Sequence, residues 1–290
     1  MHMTGLFRSI GFYVGLLLLC VFAIFPAVWM LITAFKSNTD LYNPTNNPFL
    51  FNLPPTLSHI KFLFTQTNYP IFLWNSFLIG IIVVAITLLL AVPAAYSLAR
   101  LMGHWGEHSS IAIFLVYLIP PTLLFIPLYE IVTELGLANS IWSLVLVYPT
   151  ITVPFCTWLL LSFFRSIPRD VEEAALTDGW SRVGVFFRVA LPLALPGITT
   201  CVVFAFALSL SDYIYAAVFV SATASRTVSA GVPTELIRGD IYYWQELMAA
   251  TAFVGIPLAV VYGLLFDWLV KGFQVELPRR AAAPPAQGRV

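Results

Sequence analysis

Between Arg165 and Arg188 the chain reads R-S-I-P-R-D-V-E-E-A-A-L-T-D-G-W-S-R-V-G-V-F-F-R, followed by V-A-L-P. Arg165, Arg169, Asp170, Glu172, Glu173, Asp178, Arg182 and Arg188 place 8 of the chain's 28 Asp, Glu, Lys and Arg residues in these 24 positions. The four acids have no histidine beside them, so acid–base catalysis is not the chemistry they suggest. Acids interleaved with bases suit ion pairing with a partner surface. Ser166 reads as an N-cap, Pro168 stands near the first turn, and Asp170, Glu172 and Glu173 favour the positive helix end. Asp178-Gly179 ends that helix, because glycine reaches the left-handed conformation without penalty. Ser181 caps a second short helix through Phe187, and Leu191-Pro192 turns the chain into the next apolar run. Ala174 and Ala175 offer a small, smooth surface, while Phe186 and Phe187 offer an apolar face. A solvated loop obeying the positive-inside rule explains the bases, but nothing in that rule requires the acids.

A second cluster is hydroxylated, aromatic and acidic. Asp212 stands among Ser209, Ser211, Tyr213 and Tyr215 at the end of an apolar run. Ionisable groups near a membrane span are costly and tend to be functional. Such a set suits hydrogen bonding and stacking to a sugar; Tyr148, Thr150 and Thr152 suit the lining of a path and helix packing equally well. An interfacial carboxylate, or one pairing with another helix, explains Asp212 equally well. His104 and His108 have the i, i+4 spacing of a metal pair but lack a third ligand nearby, so they read as part of a solvated loop. No H-E-x-x-H and no G-x-x-x-x-G-K-[ST] occur, so neither zinc hydrolysis nor P-loop nucleotide binding belongs to this chain.

The elements that must position these residues are set by composition. Of 290 residues, 60% are hydrophobic and 10% charged, and the mean hydropathy is +0.89. Soluble domains are about half apolar. The formal net charge is zero, so no global field points to nucleic acid. Cys20, Cys156 and Cys201 lie within apolar runs without C-x-x-C spacing and read as buried thiols. Crossing the hydrocarbon takes roughly 20 apolar residues in a helix. Runs at 10–32, 71–99, 111–129, 137–164, 189–211 and 247–266 meet or nearly meet that length without Asp, Glu, Lys or Arg. They predict an all-α polytopic membrane protein, a single domain over 1–290 with six transmembrane helices. The first run is too long for the h-region of a signal peptide. Pro26, Pro93, Pro120, Pro121, Pro149, Pro154 and Pro257 predict kinks, which neighbouring helices can accommodate.

Orientation follows from the basic residues. With the N-terminus inside, Arg8, Arg100, Arg165, Arg169, Arg182, Arg188, Lys271, Arg279, Arg280 and Arg289 are cytoplasmic, against Lys36, Lys61, Arg226 and Arg238 outside. Both termini and the loop 165–188 are thus expected in the cytoplasm, with a flexible tail over 272–290. Outer segments at about 33–70 and 217–246 are expected to cap the helices or meet an extracytoplasmic partner.

E-A-A-x-x-x-G, nine residues, then an aliphatic residue, any residue and L-P resembles the cytoplasmic signature of ATP-binding cassette (ABC) importer permeases. Glu173, Ala174, Ala175 and Gly179 match, nine residues precede Val189, and Leu191-Pro192 closes the pattern. Val189 stands where the family usually has Ile. E-E-A-A-x-x-D-G over Glu172–Gly179 is most similar to carbohydrate permeases of the maltose-transporter type, in the smaller of the two partner subunits. Ser211-Asp212-Tyr213 departs from the W-N-D or W-N-E those permeases often carry. The resemblance implies a type I ABC importer permease fold in the bacterial inner membrane, with 165–188 holding a coupling helix seated in a cleft of a separate ATPase. ATPase-coupling residues would be Glu172, Glu173, Ala174, Ala175, Asp178, Gly179, Val189, Leu191 and Pro192; a substrate path would include Asp212, Ser209, Tyr213 and Tyr148. It further implies a second permease subunit, an ATPase dimer that binds ATP and Mg, an extracytoplasmic solute-binding protein, and a sugar or sugar derivative as cargo, with no cofactor in this chain. The alternative is a self-contained secondary transporter or channel, which would show paired charges deep in the spans or an inverted repeat. An integral-membrane enzyme would instead cluster His, Asp or Glu at one membrane face.

Overall fold

The computed structural model describes the backbone of residues 2–273 and the side chains of residues 9–267, so most of the tail expected over 272–290 lies outside the described residues. The described chain is mostly helical, with loops such as residues 42–57 and one small hairpin between its helices. In order it forms α1 (His2–Phe35), α2 (Asn38–Leu41), α3 (Ser58–Gln66), α4 (Tyr69–Tyr96), a π-turn at Ser97–Leu101, α5 (Gly103–Tyr117), α6 (Pro121–Glu134), α7 (Ile141–Val147) and α8 (Pro149–Ser166). Then come α9 (Arg169–Thr177), α10 (Arg182–Val185), a second π-turn at Phe186–Ala190, α11 (Leu191–Leu193), α12 (Leu195–Ser211), α13 (Ile214–Phe219), α14 (Val228–Leu236), β1 (Ile237–Arg238), β2 (Ile241–Tyr242) and α15 (Trp244–Phe273). β1 and β2 pair antiparallel, Ile237 with Tyr242 and Arg238 with Ile241.

Helix suits such a chain, because hydrocarbon leaves no water to satisfy backbone polar groups and a helix bonds its own. Among the described residues, four segments are long and apolar enough to cross a membrane: Ser9–Phe35, Tyr69–Leu101, Ile141–Ser166 and Trp244–Asp267. Two broken pairs, Gly103–Tyr117 with Pro121–Glu134 and Arg182–Leu193 with Leu195–Ser211, raise the number to six if each pair is one span. The second pair bends by 72°. Proline acts here in two ways. Pro26, Pro93, Pro154 and Pro257 lie inside continuous helices, whereas Pro121 and Pro149 each open a helix, where the missing N–H has no intrahelical partner to lose. His104 and His108, expected in a loop, lie on α5. Cys156 and Cys201 are buried, but Cys20 is exposed. It belongs to α1, which is apolar on every side and largely uncovered by the rest of the chain, with Phe22 80% exposed.

Two compact units divide the chain. In the first (Met1–Val83, Pro121–Tyr148, Phe206–Val261), Ala34, Leu63, Tyr69, Phe72, Val232 and Ala249 join the end of α1 to α3, α4, α14 and α15. Beside this core the segment after α1 closes on a charge. Asp40 accepts from Asn46 Nδ2 at 2.9 Å, Asn52 Nδ2 at 2.9 Å and the Asn52 amide at 3.1 Å, and the fully buried Lys36 stands 3.6 Å away. Burial acts to raise the Asp40 pKa. The bonds from Asn52 and Leu53 and the Lys36 charge outweigh it and hold the carboxyl below its usual range. In the second unit (Val84–Pro120, Pro149–Ala205 and the chain from Tyr262), Ala91, Ala95, Cys156, Leu160, Phe164 and Cys201 pack α4, α8 and α12 together. Thr87 and Thr152 share a buried hydroxyl pair at 2.6 Å, the kind of interhelical bond that holds membrane helices.

Two outcomes are expected. A Cβ at Gly197 would meet Cδ2 of Phe163 at 2.5 Å, so Gly197→Ala should lower stability by about 1–3 kcal/mol. A thermal melt in detergent reads the loss, and Phe163→Leu in the same chain should recover part of it. A depressed carboxyl lends stability above its unfolded value, about 3.9, and loses it as pH falls through the lower folded value. Proteolysis of segment 36–53 should therefore accelerate in acid below that range, and Asp40→Ala should show the faster cleavage already at neutral pH.

Candidate functional site

The charged loop is built on α9. Its N-cap residue is Pro168, not Ser166, which ends α8 and donates its hydroxyl to the Phe163 carbonyl at 2.7 Å. At the other end Gly179 has φ 88°, the Gly179 amide donates to Leu176 O at 3.0 Å, and the Trp180 amide to Ala175 O at 3.1 Å. These are the two bonds of a Schellman cap. No atom stands within 4 Å of a Cβ placed at Gly179, so its backbone conformation, not crowding, demands glycine. Ser181 caps α10 by accepting from the Gly184 amide at 3.1 Å. The second helix keeps α-geometry only through Val185 and then winds as a π-turn to Ala190.

The adjacent acids differ in exposure. Glu173, Ala174, Asp178 and Gly179 are exposed, and Ala175 is half-buried. Glu172 is buried, 7% exposed, and turned into its own chain. Its Oε1 accepts from Arg100 Nε at 2.7 Å and its Oε2 from the Tyr96 hydroxyl at 3.0 Å. The same guanidinium donates through Nη2 to the Ile167 carbonyl at 2.5 Å. Tyr96, Arg100, Arg169, Glu172, Glu173 and Arg182 are among the residues lining a cleft of about 210 Å³. Phe186 packs on Tyr96 with ring centroids 4.8 Å apart, while Phe187 is 58% exposed. Val189 and Leu191 are half-buried and Pro192 is exposed. Arg100 and Tyr96 had no site role in the sequence reading. They lie 72 and 76 positions from Glu172, and no local spacing signals such a pairing.

The second cluster is brought together in part. Asp212 Oδ2 accepts from the Tyr148 hydroxyl at 3.1 Å and from the amides of Tyr215 at 3.0 Å and Ala216 at 3.2 Å. From one position before the N-cap residue Tyr213, Asp212 thus satisfies two first-turn amides of α13. Tyr148 and Ser209 are fully buried, while Tyr213 is 55% exposed. Tyr215 stacks on Tyr148 and donates to the Pro121 carbonyl at 2.8 Å. His108 Nδ1 lies 2.9 Å from the His104 carbonyl oxygen, a contact within α5.

The cap geometry makes a direct prediction. An L-residue in the left-handed region costs about 1–2 kcal/mol, so Gly179→Ala should speed amide hydrogen exchange over residues 169–182. Gly179→Asn, which tolerates that conformation better, should fall between Ala and the parent.

Known proteins are similar to this chain in sequence and in fold. The family model for the "Binding-protein-dependent transport system inner membrane component" matches residues 76–275. The chain is 36% identical over 262 residues to the sulfoquinovosyl glycerol transport system permease protein SmoH of Agrobacterium fabrum, covering 90% of each chain. It is 29% identical to the trehalose/maltose transport system permease protein MalG of Thermococcus litoralis, covering 91% of this chain and 95% of that one. In fold it is similar to a chain of a bacterial ABC transporter involved in the import of the acidic polysaccharide alginate, with a TM-score of 0.75 and 19% identity over 90% of this chain and 96% of that chain. A self-contained secondary transporter finds no support in these likenesses. The chain belongs to the family of binding-protein-dependent transport system inner membrane components: it is a multi-pass membrane permease subunit of an ATP-binding cassette importer, a transport subunit and not an enzyme.

Proposed function

We propose that this subunit forms half of the path for a sugar or sugar derivative and is driven by a separate ATPase dimer seated against α9. The observation that carries this reading is the division of the charged loop into two faces. Glu172 is bound into its own chain, while Glu173, Ala174, Asp178 and Gly179 stand exposed on a capped helix. An exposed carboxylate beside a small alanine surface suits a cleft with basic groups and closely approaching walls. Val189, Leu191 and Pro192 then carry the chain from the docked loop into α12. ATP and Mg belong to the ATPase, since this chain has no P-loop.

The remaining assembly follows from the same reading. A second permease subunit completes the path and covers apolar helix surface, and an extracytoplasmic solute-binding protein delivers the cargo. Both termini and the charged loop are cytoplasmic, in agreement with the distribution of bases, and 1–290 acts as one transmembrane domain. The sugar class is supported by the relatives' names, among them a trehalose/maltose and a diacetylchitobiose permease. Asp212, Ser209, Tyr213 and Tyr148 form the proposed substrate path, with Tyr213 as the exposed aromatic surface and Asp212 fixing its place through the first-turn amides of α13.

Glu173→Lys should reverse the charge at the docking face and reduce recovery of the ATPase with the tagged permease at least about tenfold, the effect of 1.4 kcal/mol or more. Undiminished recovery would contradict the docking role. The cargo class is tested by calorimetry on the cognate solute-binding protein with trehalose, maltose, diacetylchitobiose and sulfoquinovosyl glycerol. Binding to a saccharide is expected, and binding only to amino acids or peptides would overturn it.

A further inference from the structure

We propose that Glu172, Arg100 and Tyr96 form a latch through which displacement of α9 is delivered to α4. Resting on the coupling role assigned to α9 above, this makes Glu172 a positioning residue and not an ATPase contact. The side chains of Arg100 and Glu172 are 8% and 10% exposed, so the pair is formed out of water. Arg100 is the clasp. Its Nε holds the carboxylate of α9, and its Nη2 holds the carbonyl of Ile167 in the link that enters α9. Tyr96 holds the second carboxylate oxygen from the last turn of α4. One buried charge thus ties the helix and its leading link to the end of a single apolar span.

α9 also packs against α10 and the second π-turn, and the latch adds the charged tie that joins it to the end of α4. Breaking a buried pair by removing one partner is costly, because the other charge is left uncompensated. Under load the latch therefore moves as a unit. Arg100 also sits in the π-turn Ser97–Leu101, and single π-turns inside helices occur frequently at functional sites. The second π-turn, Phe186–Ala190, meets the same assembly through the contact of Phe186 with Tyr96. Both ends of the latch thus adjoin helix whose hydrogen-bond register departs from the α-pattern.

The test is a double-mutant cycle in the complete transporter, reconstituted in proteoliposomes. ATP hydrolysis is measured with and without the cognate solute-binding protein and the saccharides named above, alongside ATPase recovered per permease. Arg100→Gln and Glu172→Gln should each retain the ATPase but lower the stimulation of hydrolysis about tenfold. The double variant should be no worse than either single, because coupled partners are not additive. Tyr96→Phe, which removes one hydrogen bond and little volume, should fall between. Should the single variants fail to reach the membrane, the reversed pair R100E/E172R decides: recovery of stimulation supports the latch, and none overturns it. Additive losses, full stimulation in Arg100→Gln, or release of the ATPase by Glu172→Gln alone would also overturn it. ATPase missing from the parent complex would overturn the docking assignment and the latch together, whereas ATPase bound equally with unaltered stimulation in every variant overturns the latch alone.

Discussion

A carboxylate removed from water costs several kcal/mol unless close partners replace its hydration, and Glu172 leaves only 10% of its side chain exposed. Arg100 and Tyr96 supply those partners from the end of one span. Once they do, the rest of the charged loop has little freedom. With Glu172 facing inward, the 3.6-residue period turns Ala175 and Leu176 partly toward the same side and leaves Glu173 and Ala174 outward. The Schellman cap at Gly179 then reverses the chain at the end of α9. The outward face of α9 thus owes its direction to an internal ion pair.

The surrounding helices answer a different constraint. Lipid cannot satisfy a backbone amide, so apolar runs become helices whose polar demands are met inside the protein. That is visible in the Thr87–Thr152 pair between α4 and α8. It is visible again at Asp212, whose carboxylate terminates two amides at the start of α13. Outside the spans, Asp40 gathers the amides of the segment after α1 around a buried charge, with Lys36 as its counterion. Family membership, the internal polar bonding and the apolar helices together describe a membrane-embedded transport subunit with one exposed charged loop.

Much of this was legible in the sequence because the signals are local. Apolar run lengths marked the helices, Asp178-Gly179 marked the reversal, and Ser181 marked the second cap, each within a few residues of its effect. The spacing from Glu173 to Pro192 was equally legible as a family signature. Long-range partners were not. Glu172 and Glu173 look alike in sequence, and only the position of Arg100, 72 residues away, separates an inward acid from an outward one. Ser166 has the right residue type for a cap, but α8 extends through it and Pro168 takes the cap position. In sequence the carboxylate of Asp212 suits a sugar partner, while its bonds to first-turn amides depend on where α13 begins. The exposure of Cys20 follows from the uncovered α1, which composition alone does not reveal.

The central claim, that α9 presents an outward face to a separate ATPase, is tested most directly by site-specific photo-crosslinking in intact membranes. A photoreactive phenylalanine analogue at Ala174, on that exposed face, should capture the ATPase subunit. The same analogue at Leu123, an exposed position on α6, should not. Capture from Leu123 with none from Ala174 would contradict the account.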